Sequence, residues 1–214
     1  MLFFTALSLL FIVAPPTVTA VWPLPKQFTT GTTPLRLSCS FQINLQGVNN
    51  APQDLQDAVY RTSSFLRNDK LQALVPDRGA SSAEDFPNTK TLSSLTLSLT
   101  THGKVRSITE ETLDDLESRV EGYTLIVPAD GSDATLEANS TLGLFRGLTT
   151  FEQLWYDWEG TTYTIQAPFN IVDAPAYVHA SLISLTPLAY PRHSRIVDSC
   201  WILLGTSKHI THHL

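Results

Sequence analysis

The chain has 214 residues, a formal net charge of −6 and 43% apolar residues. That suits one domain with an ordinary core, or one domain plus part of another. No block of Lys or Arg occurs, so the basic footprint of a nucleic-acid-binding protein is excluded.

From Met1 to Val13 the sequence is almost unbroken apolar, too short for a membrane span, which needs about 20 such residues. Ala14-Pro15-Pro16 and Val18-Thr19-Ala20 follow. Small residues before a break are what a signal peptidase reads. The pattern predicts a leader over 1–20, cleaved after Ala20, although its n-region has no Lys or Arg. The expected location is secreted, with the vacuole or cell wall as related destinations, and no membrane span remains after cleavage. Cys39 and Cys200 are too few for a disulfide framework, and whether they pair stays open.

Val21-Trp22-Pro23-Leu24-Pro25 predicts an extended surface segment, because two prolines exclude helix. Leu35, Leu37, Cys39, Phe41 and Ile43 alternate with polar residues, the period of a strand with one buried face. Pro52 opens a helix whose stripe is Leu55, Ala58, Val59, Thr62, Phe65 and Leu66. Asp54 and Asp57 near its start and Arg61 and Arg67 toward its end suit the helix dipole. Residues 69–90 read as loop, and Leu92, Leu95, Leu97 and Leu99 as a strand. The acidic stretch 108–121 reads as solvated loop or short helix; it lacks the glycine and acid offsets of a calcium loop.

Tyr123 to Val127 and Ala134 to Ala138, joined through Asp130-Gly131-Ser132, carry a hairpin signature. A helix is predicted over 142–155, with Leu144, Leu148, Phe151, Leu154 and Trp155 on its apolar face. Gly143 and Gly147 each cost such a helix about 1 kcal/mol, and a close approach by the sheet is a physical reason for them. Asn139-Ser140-Thr141 is an N-glycosylation acceptor sequon at Asn139, and Ser140 can also cap this helix. Strands over 162–165 and 169–172 finish the order. The expected fold is α+β: a mainly antiparallel sheet with helices packed on one face.

No residue is assigned a catalytic, cofactor or metal role. His102, Asp130 and Ser132 have the residue types of a triad, but Ser132 lies in a hairpin turn, not in a nucleophile elbow. His209, His212 and His213 have zinc-compatible chemistry but no nearby carboxylate or thiol. Glu152 and Asp157 beside Trp155 and Trp158 resemble a sugar-binding surface in composition; packing of Trp155, Tyr156 and Trp158 against another domain is the preferred expectation.

Several of these segments together resemble a known family. The stretch 139–155, NSTLGLFRGLTTFEQLW, is similar to a helix of the first domain of secreted fungal β-N-acetylhexosaminidases, glycoside hydrolase family 20. Val21-Trp22-Pro23-Leu24-Pro25, Glu121-Gly122-Tyr123-Thr124-Leu125 and the stretch 167–177 fall in the family's order, so the resemblance spans about 21–178. It implies a zincin-like α+β domain without the metal site, in agreement with the absence of His-Glu-x-x-His. It also implies a TIM barrel that does the chemistry: an Asp-Glu pair removes terminal N-acetylglucosamine or N-acetylgalactosamine by substrate-assisted hydrolysis. The implied partners are that barrel and amino-sugar glycans.

From His179 the chain departs from the family's pattern. No arginine follows Tyr177 where the family places its sugar-binding one, and 179–214 cannot hold a barrel of about 250 residues. The expected organisation is a leader over 1–20, a hexosaminidase-like domain over 21–172, and over 173–214 the start of the catalytic region followed by an aberrant, disordered tail. A shifted reading frame or splice after Val178 would produce such a tail. The expected function is a non-catalytic accessory domain, inactive alone. The alternatives are part of an active hexosaminidase whose barrel was lost in this way, or a secreted carbohydrate-binding or interaction domain. With no barrel to cover it, the apolar surface at Trp155 to Trp158 is expected to promote self-association.

Overall fold

The computed structural model describes residues 21–48, 50–69, 79–101 and 103–174. The leader, His102, the tail from His179 with Cys200, and the histidines at 209, 212 and 213 lie outside them. By contacts the chain divides into units 1–178 and 179–214.

Strand β1, Gln27–Gln46, is far longer than the alternating segment that announced it. Its first half pairs antiparallel with β6, Thr161–Asp173, and its second half pairs parallel with β2, Lys90–Leu99. Strand β2 runs parallel to β4, Ala134–Ala138, which forms the expected hairpin with β3, Tyr123–Val127. Strand β3 returns to β6, and the short edge strand β5, Tyr156–Trp158, pairs with the start of β6. The sheet order is β1-β2-β4-β3-β6-β5, and the added β1–β6 pairing closes a circuit of strands.

Irregularities in β1 explain what the period-two pattern hides. Pro34 sits at a register shift between Thr33 and Leu35, where its missing N–H breaks no ladder. A second shift between Leu37 and Gln42 takes up extra residues against β2, and within it Cys39 is exposed instead of facing the core. A Cβ at Gly31 would stand 2.4 Å from the Ala167 carbonyl oxygen and 2.6 Å from Pro168 Cδ. Only a glycine lets β1 pass this close to β6. Pro168 falls where the β1–β6 register slips, so the two strands expected over 162–165 and 169–172 are one continuous β6.

Helix α1, Gln53–Asn68, buries Leu55, Ala58, Thr62 and Leu66 of the stripe read from the sequence, and leaves Val59 and Phe65 half-buried. Residues expected as loop include a 3-10 helix, Ala80–Asn88, held by Phe86, which is buried and packs at a tilt against Tyr163, ring centroids 4.7 Å apart. In the acidic stretch a short helix α2, Ile108–Thr112, forms, closed by a capping box between Ser107 and Glu110.

Helix α3, Thr141–Glu152, starts at Ser140, whose Oγ accepts from the Gly143 N–H at 2.9 Å. It ends before Trp155, earlier than expected, because the chain must turn into β5. The two glycines have the predicted cause. A Cβ on Gly143 would meet the Gly122 carbonyl oxygen at 2.6 Å, and one on Gly147 would meet Leu136 Cδ1 at 2.2 Å. Their absence of side chains lets α3 lie directly on β3 and β4. The result is the expected α+β layer, a mostly antiparallel sheet with the helices to one side.

Candidate functional site

Several chemistry-bearing side chains hold the fold. Glu111 on α2 reaches the N-terminus of α3: its Oε2 accepts from the Leu142 N–H at 2.7 Å and lies 2.9 Å from Thr141 Oγ1. A carboxylate there satisfies an orphan donor and meets the positive end of the helix dipole. Glu121, 8% exposed, pairs with Arg146 Nε at 2.8 Å, joining the start of β3 to α3. Arg106 grips Asp114 through both oxygens, at 2.6 and 2.8 Å, and holds its carboxyl below the usual carboxylate range.

Glu152, one of the residues with sugar-site composition, accepts from Thr62 Oγ1 at 2.6 Å and so ties α3 to α1. Burial pushes its carboxyl up, against the opposing effects of the Thr62 bond and Arg61. Asp157 Oδ1 accepts from the Gly160 N–H at 3.3 Å within the β5–β6 turn. That turn has positive φ at both Glu159 and Gly160, the geometry of a two-residue type I′ hairpin.

The three residues of the expected packing surface separate. Trp155 is 2% exposed, in the core, edge-on to Phe151 at 5.5 Å. It is therefore neither an exposed sugar platform nor a sticky surface residue. Trp155 lies four residues past Phe151, on the apolar face read from helical spacing, and it is buried there although α3 itself ends at Glu152. Tyr156 and Trp158 are half-buried on the edge strand β5.

The triad constellation does not assemble among the described residues. Asp130 Oδ1 accepts from the Ser132 N–H at 2.9 Å and from its Oγ at 2.6 Å, an Asx turn closing the β3–β4 hairpin. Among the described residues no group of three or more His, Cys, Asp or Glu side chains is placed to hold a metal. No helix among them is long and apolar enough to cross a membrane.

Asn139 is exposed between β4 and α3, and its side-chain oxygen accepts a hydrogen bond from Thr100 Oγ1. Tyr123, paired with Ala138 across β3 and β4, bonds to Thr150 Oγ1 at 2.6 Å, and burial pushes its phenol up to about 12.

Two adaptors, Gln153 and Asp173, have no signature in the sequence. Gln153, just past α3, donates from Nε2 to the Thr149 carbonyl at 3.2 Å and accepts the Trp22 N–H at 2.7 Å. It fastens the segment at Val21, itself 6% exposed, to the helix end. Asp173 Oδ1 accepts from the Lys26 N–H at 3.2 Å and the Ala174 N–H at 2.9 Å, at the end of β6. The bonds from Trp22 and Lys26 are long-range side chain to backbone bonds, which leave no periodic signal in sequence.

Residues 21–154 match the family model described as beta-acetyl hexosaminidase like. Beta-hexosaminidase 3 of Arabidopsis thaliana is 29% identical over 189 residues, covering 84% of this chain and 32% of that protein. The chain thus spans about a third of the length of this relative. Among solved structures, the Flavobacterium johnsoniae chitobiase is 23% identical over 72% of this chain and 20% of its own, with a TM-score of 0.46. The β-N-acetylhexosaminidase of Streptomyces coelicolor A3(2) is 19% identical over 77% of this chain and 28% of its own, with a TM-score of 0.42. With the family model covering 134 of 214 residues (21–154), the chain belongs to the beta-acetyl hexosaminidase like family of glycoside hydrolase family 20, as its N-terminal, non-catalytic domain.

Proposed function

We propose that this chain is the accessory module of a secreted β-N-acetylhexosaminidase, and that it hydrolyses nothing alone. The family match over 21–154 carries this reading. The carboxylates support it: Glu111, Glu121, Asp114 and Glu152 are each spent on a helix end, an ion pair or an interhelical bond. Glycosidic cleavage needs two carboxyl groups flanking the bond, or an Asp-Glu pair that recruits the substrate's acetamide. The module's partner is a TIM barrel acting on glycans with terminal N-acetylglucosamine or N-acetylgalactosamine. Tyr156 and Trp158 on β5 are the side chains offered for packing against it.

The test is an aryl N-acetylglucosaminide assay on the secreted chain, and on the chain fused to a barrel of the same family. The expected outcome is no turnover by the chain alone and turnover by the fusion. Hydrolysis by the purified chain alone would refute the proposal. Transcript sequencing past codon 178 checks the partner: an Arg-Gly followed by barrel strands is the expected continuation.

A further inference from the structure

An open groove of 410 Å³ lies beside Asn139, lined also by Leu116, Glu117, Arg119, Val120 and Ala174. Its lining mixes apolar and charged groups. Val120 is 47% exposed, a large apolar side chain left facing solvent. Asn139 is oriented from two sides: Thr100 Oγ1 bonds its side-chain oxygen, and Thr101 Oγ1 donates to its backbone carbonyl at 2.8 Å. An amide pinned by its oxygen turns its nitrogen the other way. Nδ2 is the atom that takes a glycan in an Asn-Ser-Thr sequon, and Asn139 is itself part of the groove wall.

We propose that Asn139 carries an N-linked glycan whose first N-acetylglucosamine seats in this groove. The ring's apolar face and acetamide methyl lie against Leu116 and Val120, and its hydroxyls reach Glu117 and Arg119. Attachment replaces one Nδ2–H by a bond from Nδ2 to the anomeric carbon. The oligosaccharide comes from a lipid diphosphate donor, whose anomeric C–O bond breaks, and the amide proton leaves to base. The groove volume falls within the range of small-molecule sites. Contacts that would be too weak for a free sugar suffice here, because the tether holds the sugar at about millimolar effective concentration. The inference rests on the secretion reading, since the donor is found only in the secretory lumen.

The experiment uses the full chain with its leader in a secreting eukaryotic host. Glycopeptide mass spectrometry gives occupancy at Asn139. An endoglycosidase that cuts between the first two sugars leaves a single N-acetylglucosamine. The melting temperature of that form should stay within about 1 °C of the full glycoform, while Asn139→Gln should fall by about 2–4 °C. Unglycosylated wild type from bacteria separates loss of the sugar from loss of the Thr100 bond, and it should match Asn139→Gln. Val120→Asp should erase the difference between glycosylated and bare protein. Secreted protein with Asn139 bare, or a melting temperature indifferent to the first sugar, overturns the proposal. Failure of the chain to leave the cell overturns the secretion reading instead.

Discussion

Replacing Gly143 by alanine sets two effects of opposite sign against each other. Helix propensity alone favours the change by about 1 kcal/mol, since glycine is the poorest helix former after proline. The structure opposes it. The new Cβ would stand 2.6 Å from the Gly122 carbonyl oxygen, 3.0 Å from Ala138 Cβ and 3.3 Å from Ser140 Oγ. The first is backbone, fixed at the entry to β3, and cannot rotate away. Helix α3 must lift, and the Ser140 cap bonded to the Gly143 N–H must stretch with it. Overpacking costs about 1–3 kcal/mol and a lost cap about 1 kcal/mol. Subtracting the propensity gain leaves a net loss of roughly 1–3 kcal/mol. For a chain of this size each kcal/mol moves the melting temperature by about 2–4 °C. Thermal unfolding followed by circular dichroism, with urea titration to confirm an unchanged m-value, measures it. A melting temperature equal to or above wild type would show that the helix does not lie on the sheet as described.

Gly31→Ala should destabilise by a comparable amount, about 1–3 kcal/mol in urea titration, because its neighbours at 2.4 and 2.6 Å belong to β6. Trp155→Ala should cost about 3–5 kcal/mol, the loss of a core aromatic, whereas Trp22→Ala, at a side chain 82% exposed, should stay within about 0.5 kcal/mol; equal effects would place Trp155 at the surface. Glu111→Ala strips a partner from the Leu142 N–H and should cost about 1–3 kcal/mol in chemical denaturation. Glu152 is an acid whose folded carboxyl is raised, chiefly by burial. The fold therefore favours its protonated form, and that contribution is present below the ordinary carboxylate range and lost as pH rises through the folded value. Glu152→Gln should accordingly gain stability relative to wild type as pH rises from 4 to 7, and a flat difference across that range would contradict it.

What the sequence disclosed follows from what leaves a periodic trace. Leu55, Ala58, Thr62 and Leu66 on α1, and the alternating residues of β2, β3 and β4, repeat at the spacing of their element and were legible. So was the need for small residues on α3, because two glycines in a helix demand an outside cause. What stayed hidden is set by single contacts between distant segments. The 3-10 helix over 80–88 is held by one ring, Phe86 on Tyr163. The first half of β1, where threonines surround Gly31 and Pro34, has no apolar alternation; its strand character comes from pairing with β6. The early end of α3 is hidden for the same reason, since a helix end is decided by where the chain must go next, and here that is β5; the burial of Trp155 was legible in its helical spacing from Phe151.

The same logic bears on function. A catalytic site gathers carboxylates whose charge is left available to a substrate. In this domain four carboxylates are each held by a partner: Glu121 by Arg146, Asp114 by Arg106, Glu152 by Thr62, Glu111 by the start of α3. Freeing Glu121, Glu152 or Glu111 for chemistry would unfasten α3 from the entry to β3, from α1 or from α2. In a scaffold built this way these four carboxylates are groups that hold the fold. Making Glu121 or Asp114 available would take replacement of its partner, Arg146 or Arg106, and each replacement would leave a carboxylate without its ion pair before acid–base chemistry could begin.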